Sequence, residues 1–163
     1  MIAMLEGSVW GAACDLALSC DILVGTPTTF FAMTPAKVGI PYSSSGLLHF
    51  IAAAGLPIVK EMFFTAQPLG AERAEKLGIL NYVLPAEQLE DFTYHMARQI
   101  TQNSPLAISV IKEQLRILAD SHPLSPGTFE RIQGLRRRVY DSKDYLEGKT
   151  AFLQKRAPKF KGE

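Results

Sequence analysis

The chain has 163 residues, 47% of them apolar, which is enough for one good-sized hydrophobic core and too little for two large domains. Seventeen Lys and Arg residues balance sixteen Asp and Glu residues, so the formal charge of +1 argues against a nucleic-acid partner and favours small-molecule chemistry. We find no apolar run long enough to cross a bilayer and no signal-peptide pattern, which predicts a cytoplasmic protein without a membrane partner.

The first half of the chain alternates short apolar runs with helical patterns, as an α/β fold does. Residues 2–5 predict a strand, and residues 6–21 predict a tight turn of small residues that leads into a helix. Three further apolar runs predict strands: residues 21–24, 30–33 and 79–84. Helical periodicity continues in three more segments: residues 43–54, 56–65 and 71–77, the first of which Gly55 ends.

The second half is helical almost throughout. Apolar residues recur at three- and four-residue spacing in residues 85–101, 105–120 and 128–140. We therefore predict a partial α/β core over residues 1–84 and a helical region over residues 85–163. The basic segment KRAPKFKG near the end is either a disordered tail or a phosphate contact.

The small residues of the early turn predict one of two roles. Gly11, Ala12 and Ala13 stand where a helix begins, and small side chains there let a ligand approach unpaired backbone N–H groups. Such a helix start binds a phosphate, a carboxylate or a developing oxyanion. The alternative is that these residues only allow the helix to pack tightly on its strand.

Other chemistries have weaker signals. Cys14 and Cys20 fit neither a CxxC pair nor a zinc motif, so we interpret them as reduced, packed thiols. His49, His95 and His122 are far apart, with no Cys, Asp or Glu at ligand spacing, so no metal site is predicted.

The amino terminus points to a missing neighbour. The chain enters an apolar strand at Ile2, which leaves no preceding residues to form strands beside it. We expect that part of the fold precedes Met1.

Four separated motifs carry a family resemblance. They are EGSVWGAACDLALSCDILV, TFFAMTPAKVGIPYS, AERAEKLGILNYVLP and AFLQKRAPKF. Together, over essentially the whole chain, they resemble the carboxyl-terminal half and more of the crotonase (enoyl-CoA hydratase/isomerase) superfamily. The resemblance implies an α/β fold of the ClpP/crotonase type, a spiral of β-β-α units with a carboxyl-terminal helical trimerisation region. It also implies an acyl-CoA substrate and a homo-oligomer, either a trimer or a dimer of trimers.

The same resemblance implies roles for single residues. Ala12 matches the second backbone N–H donor of the family's oxyanion hole, where it would also contact substrate. Thr34 matches a substrate-contacting position, and Tyr42, after the Pro of the loop, would orient a leaving carboxylate as a catalytic residue. Lys155 would meet the phosphate side of coenzyme A. The family's front part, which supplies the first oxyanion-hole donor, is not found.

The type of reaction follows from what the motifs lack. Hydratases of the family use two Glu residues, and the corresponding positions here hold Asp15 and Ala36. This counts against hydration. The resemblance, which extends to decarboxylases of the family, implies decarboxylation of methylmalonyl-CoA, or of a similar malonyl-type thioester, to propionyl-CoA, without metal, biotin or another prosthetic group. Two alternatives stay open: hydration or isomerisation through Asp15, and an inactive fragment that keeps only the assembly surface.

Overall fold

The computed structural model describes residues 1–35, 42, 44–119, 125–127, 130–131, 134, 137–138, 141–156, 158–159 and 161–163. Ala36 and most of the helix predicted over residues 128–140 lie outside the described residues. The chain forms two compact units, Met1–His95 and Met96–Glu163. The division into functional regions at residues 84 and 85 stays a prediction.

The strands of the first unit belong to two sheets. They are β1 (Ile2–Leu5), β2 (Ser8–Trp10), β3 (Ile22–Gly25), β4 (Phe30–Ala32), β5 (Leu69–Gly70) and β6 (Tyr82–Val83). One sheet has the order β1-β3-β6 and is parallel; the other has the order β2-β4-β5, with β2 and β4 parallel and β5 antiparallel to β4.

Two β-β-α repeats build this unit. The first repeat is β1, β2 and the helix α1 (Ala12–Leu18), and the second is β3, β4 and the helix α2 (Ser44–Thr65). In each repeat the first strand enters one sheet and the second strand enters the other. The remaining helices in the part of the chain that the structure describes are α3 (Ala71–Lys76), α4 (Ala86–Thr101), α5 (Pro105–Ala119) and α6 (Lys143–Leu153). The predicted crotonase-type α/β fold is confirmed.

Two local predictions were wrong. Ser8–Trp10 forms strand β2 and not part of a turn, because these residues pair with Phe30–Ala32 despite their small neighbours. The strand predicted over residues 79–84 shrinks to Tyr82–Val83. The reason is that the N–H groups of Ile79 and Leu80 both donate to the carbonyl of Ala74 and so close the end of α3.

α2 is the most apolar helix, and its backbone breaks at Gly55 (φ 73°, ψ 153°), two residues before Pro57. Contrary to the sequence-based expectation, its segment Gly46–Thr65 is long and apolar enough to cross a membrane, by length and composition alone (mean hydropathy 1.5). The sequence predicts two helices here, separated at Gly55. Phe50, on one side of the break, and Phe63, on the other, are both buried in the first unit's hydrophobic core, but only 22% of the 18-residue apolar stretch is buried, and Leu48, Leu56 and Phe64 are exposed.

Candidate active site

The site begins at the turn between β2 and α1. Gly11 has φ 51° and ψ −116°, a conformation that a residue with a side chain rarely adopts. Its N–H donates to the Ala32 carbonyl (3.0 Å), and its carbonyl accepts from the Cys14 N–H (3.0 Å). Among the described residues, no acceptor meets the N–H groups of Ala12 and Ala13, the first two residues of α1. These two N–H groups are therefore open to a ligand.

The pairing of β2 with β4 places Ala12 and Thr34 at one edge of a sheet. Trp10 is in register with Ala32, and the two strands are parallel, so their carboxyl ends coincide. Ala12 and Thr34 each follow their strand's last residue by two positions. In α/β sheets, ligands bind beyond the carboxyl ends of parallel strands. Thr34 is half-buried at this edge.

Cys14 holds the turn in place through a hydrogen bond to strand β2. Its thiol is completely buried and donates to the Val9 carbonyl (Sγ to O, 2.9 Å). Burial is the main cause that raises the pKa of Cys14 from 9.0 to about 11. The thiol is thus protonated and packed, and it serves to hold α1 on β2 and not as a nucleophile.

Tyr42 lies against α2 at an apolar cavity. Its ring makes edge-to-face contacts with Phe50 (centroids 6.0 Å apart) and Phe63 (5.2 Å). The cavity has a volume of about 350 Å³, and Pro35, the neighbour of Thr34, also lines it. Burial, followed by the charges of Asp15 and Cys14, raises the pKa of the Tyr42 phenol above its usual value. The phenol therefore stays protonated near neutral pH and is available to donate a hydrogen bond.

A side-chain pair that the sequence analysis missed joins α1 to α2. His49 Nδ1 and Asp15 Oδ1 are 2.6 Å apart. Asp15 had been considered alone, and His49 only as a metal ligand, because thirty-four residues separate them. No spacing rule links such residues. The β-β-α repeat could have suggested the pair, since it packs successive helices beside the same sheets.

Lys155 belongs to the second unit, which is described by itself. It is exposed in the turn that follows α6 and has a positive φ of 52°. Its role at the coenzyme A phosphates stays a prediction.

The basic tail beside Lys155 is tied to α6 by two acidic residues. The buried Asp144 carboxylate accepts from the N–H groups of Lys161 (2.7 Å) and Gly162 (2.8 Å). Glu147 accepts two hydrogen bonds from Arg156 (2.6 and 2.9 Å) and one from the backbone N–H of Lys159. These bonds tie Arg156, Lys159, Lys161 and Gly162 to α6, and a phosphate contact by this segment stays a prediction.

The predicted residues fall into two groups. Ala12, Thr34 and Tyr42 are all in the first unit, and Tyr42 faces α1 closely enough to be affected by the Asp15 charge. Lys155 is in the second unit. Within the part of the chain that the structure describes, no three His, Cys, Asp or Glu side chains cluster as metal ligands would.

Comparison with known proteins places this geometry in a family. The sequence profile of the enoyl-CoA hydratase/isomerase family matches residues 1–163. Methylmalonyl-CoA decarboxylase from Escherichia coli is 51% identical over 99% of this chain and 62% of its own length. Carnitinyl-CoA dehydratase from Salmonella arizonae is 34% identical over 99% of this chain and 63% of its own length.

A solved structure agrees with these sequence relatives. The crystal structure of methylmalonyl-CoA decarboxylase complexed with 2S-carboxypropyl-CoA superimposes with a TM-score of 0.72 at 51% identity, covering 99% of this chain and 62% of that one. The chain thus spans less than two thirds of the length of the relatives it matches. Its full-length sequence match and its fold show that the chain belongs to the enoyl-CoA hydratase/isomerase family.

Proposed function

We propose that this chain acts in the decarboxylation of methylmalonyl-CoA, or of a close malonyl-type thioester, to propionyl-CoA. The observation that carries the proposal is the neutral Tyr42 phenol, whose ring packs edge-to-face against both Phe50 and Phe63 and lines an apolar cavity. The 51% identity to a methylmalonyl-CoA decarboxylase supports the same reaction.

The proposed reaction uses the thioester as its electron sink. The bond between the carboxylate and the α-carbon breaks, CO₂ leaves, and the electron pair moves into an enolate whose negative charge lies on the thioester oxygen. The open N–H of Ala12 would stabilise that oxygen, and a donor of this kind is worth about 10²–10³ in rate. Tyr42 would donate to the carboxylate and hold it out of the thioester plane, in an apolar cavity that disfavours the starting charge.

The remaining assignments follow from this chemistry. Because the thioester itself accepts the electrons, we propose that the reaction runs without metal, biotin or another prosthetic group. Thr34, beside Pro35 at the cavity, would contact the acyl end of the substrate, and Lys155 the phosphates of its coenzyme A part. We further propose a homo-oligomer, a trimer or a dimer of trimers, in the cytoplasm.

A second candidate function is hydration or dehydration of an acyl-CoA. The Asp15–His49 pair favours it, since such a reaction needs a positioned acid or base. The 34% identity to carnitinyl-CoA dehydratase points the same way. The family's hydratases use two carboxylates, however, and the second position holds Ala36. Decarboxylation is therefore the better supported reaction.

The test compares two proteins. One is Met1–Glu163; the other carries the amino-terminal segment of the Escherichia coli relative in front of Met1. We expect the fusion to release CO₂ from methylmalonyl-CoA and not to hydrate crotonyl-CoA. Hydration at a rate comparable with CO₂ release would refute the decarboxylase assignment.

The shorter protein tests the fragment alternative. β1 and β2 are edge strands, each with one paired side among the described residues, and Met4 and Trp10 are exposed on them. Such edges recruit other chains, so we expect Met1–Glu163 alone to self-associate and to be nearly inactive. Sedimentation and the CO₂ assay measure both properties. A monomer as active as the fusion would contradict this expectation.

A further inference from the structure

The Asp15–His49 pair has a defined orientation. Asp15 Oδ1 lies 2.6 Å from His49 Nδ1, and the two side chains retain 30% and 46% of their exposure. The bond to Asp15 directs Nδ1 toward α1 and leaves Nε2 as the other ring nitrogen. No hydrogen-bond partner for Nε2 is found among the residues that the structure describes. Nε2 is thus available to a ligand or to water.

The position of the pair relates it to the proposed site. Asp15 follows Ala12 by three residues on α1, so the two lie on the same face of the helix, and the Asp15 side chain tilts toward the helix start. The Asp15 charge also acts on the Tyr42 phenol. Asp15 therefore lies on the Ala12 face of α1 and within electrostatic range of Tyr42, and its hydrogen bond to His49 brings that ring against α1.

The reaction needs an acid that neither Tyr42 nor Cys14 supplies well. After CO₂ leaves, the enolate carbon must take up one proton. The pKa of Cys14 is about 11, and that of Tyr42 is raised above its usual value, so both hold their protons tightly. Histidine is the side chain that most often serves as a general acid or base, and His49 is partly exposed to solvent, which can return its proton.

We propose that His49 is the catalytic acid that protonates the enolate carbon and that Asp15 is its positioning residue; this inference rests on the proposed function. The Nε2–H bond of the imidazolium breaks, and a C–H bond forms with the enolate electron pair. The thioester carbonyl is restored and propionyl-CoA is complete. Neutral His49 keeps its Nδ1–H bond to Asp15 and regains a proton from water on its exposed side.

The test uses the reverse proton transfer. In D₂O the enzyme should exchange the α-hydrogens of propionyl-CoA, a step that involves no CO₂. His49→Gln should slow this exchange by about 10²-fold, the lower range of general acid–base catalysis. First-turnover CO₂ release should stay within a few-fold of the parent's. The matched control is His95→Gln, which changes an exposed histidine of α4 and should alter neither rate. All variants are made in the fusion described above.

Two further variants separate catalysis from structure. His49→Ala should lose the exchange and regain part of it when free imidazole is added, which a purely structural histidine would not show. Asp15→Asn should slow the exchange less than His49→Gln does, because the ring remains but is no longer held. Exchange at the parent rate in His49→Gln, or the absence of imidazole rescue, would overturn the proposal.

The outcomes also separate this inference from the proposed function. A parent that exchanges α-hydrogens through His49 but releases no CO₂ would refute the decarboxylase function and support the role of His49. A parent that releases CO₂, and whose α-hydrogen exchange does not depend on His49, would support the decarboxylase function and refute the role of His49. A parent that does neither would refute both.

Discussion

Replacing Tyr42 with Phe removes one oxygen and leaves the rest of the ring. The edge-to-face contacts with Phe50 and Phe63 involve only the ring, so they remain, and the fold should be unchanged. What the substitution removes is the proposed hydrogen bond from a protonated phenol to the substrate carboxylate. A hydrogen bond to a charged group is worth about 1.5–3 kcal/mol.

This free energy sets the size of the expected effect. At 1.36 kcal/mol for each factor of ten, Tyr42→Phe should lower the rate by about tenfold to about 150-fold. If the bond forms only along the reaction path, kcat and kcat/KM should fall together.

Steady-state CO₂ release from the fusion measures both constants. The matched control is Tyr82→Phe, because Tyr82 also packs edge-to-face, against Phe92, and plays no part in the proposed site. Unchanged kinetics for Tyr42→Phe, or an equal loss in Tyr82→Phe, would return Tyr42 to a packing role.

Three further predictions concern other parts of the chain. Lys155→Ala should raise KM for the CoA ester and leave kcat near its parent value, because a phosphate contact holds ground state and transition state alike; a large fall in kcat would refute it. Cys20 should react with a thiol reagent in the native protein while Cys14 reacts only after unfolding, since Cys14 is buried with a pKa of about 11. The hydrogen bonds from Arg156, the larger effect, and from the Lys159 N–H lower the pKa of Glu147 from 4.5 to about 2. The ionised Glu147 carboxylate therefore stabilises the fold above pH 4.5, and this stabilisation is lost as the pH falls toward 2. Glu147→Gln should therefore weaken the loss of stability over that range, measured by thermal unfolding; an unchanged acid-side slope would argue against the pairing.

Much of the fold could be predicted because it depends on local patterns. β1, β3 and β4 are short apolar runs between turn residues, and the helices α3, α4 and α5 show clear apolar periodicity, so each was predicted to within a residue or two. β2 and β5 could not be predicted, because each has only two or three residues and forms by pairing with β4. α6 was not predicted as a separate helix, although its region was expected to be helical.

The candidate site likewise has one part that the sequence predicted and one part that it did not. Ala12, Thr34 and Tyr42 were found by resemblance because they lie in motifs of fixed order. The Asp15–His49 pair depends on how α1 packs against α2, which no motif encodes. The anchoring of the tail by Asp144 was missed for a similar reason, since its partners are backbone N–H groups that any sequence would supply.

The geometry also suggests why one fold can support several reactions. The open N–H of Ala12 is a backbone group, fixed by the φ of Gly11 and by the pairing of β2 with β4, so under the proposed function the fold alone would provide enolate stabilisation. Which bond breaks then depends on the side chains that surround it. A phenol such as that of Tyr42 donates to a carboxylate but is a poor base, which suits loss of CO₂, whereas a carboxylate at the position of Ala36 would suit the addition of water. We therefore expect Ala36→Glu to introduce hydration, with the Asp15–His49 pair as the second acid–base group.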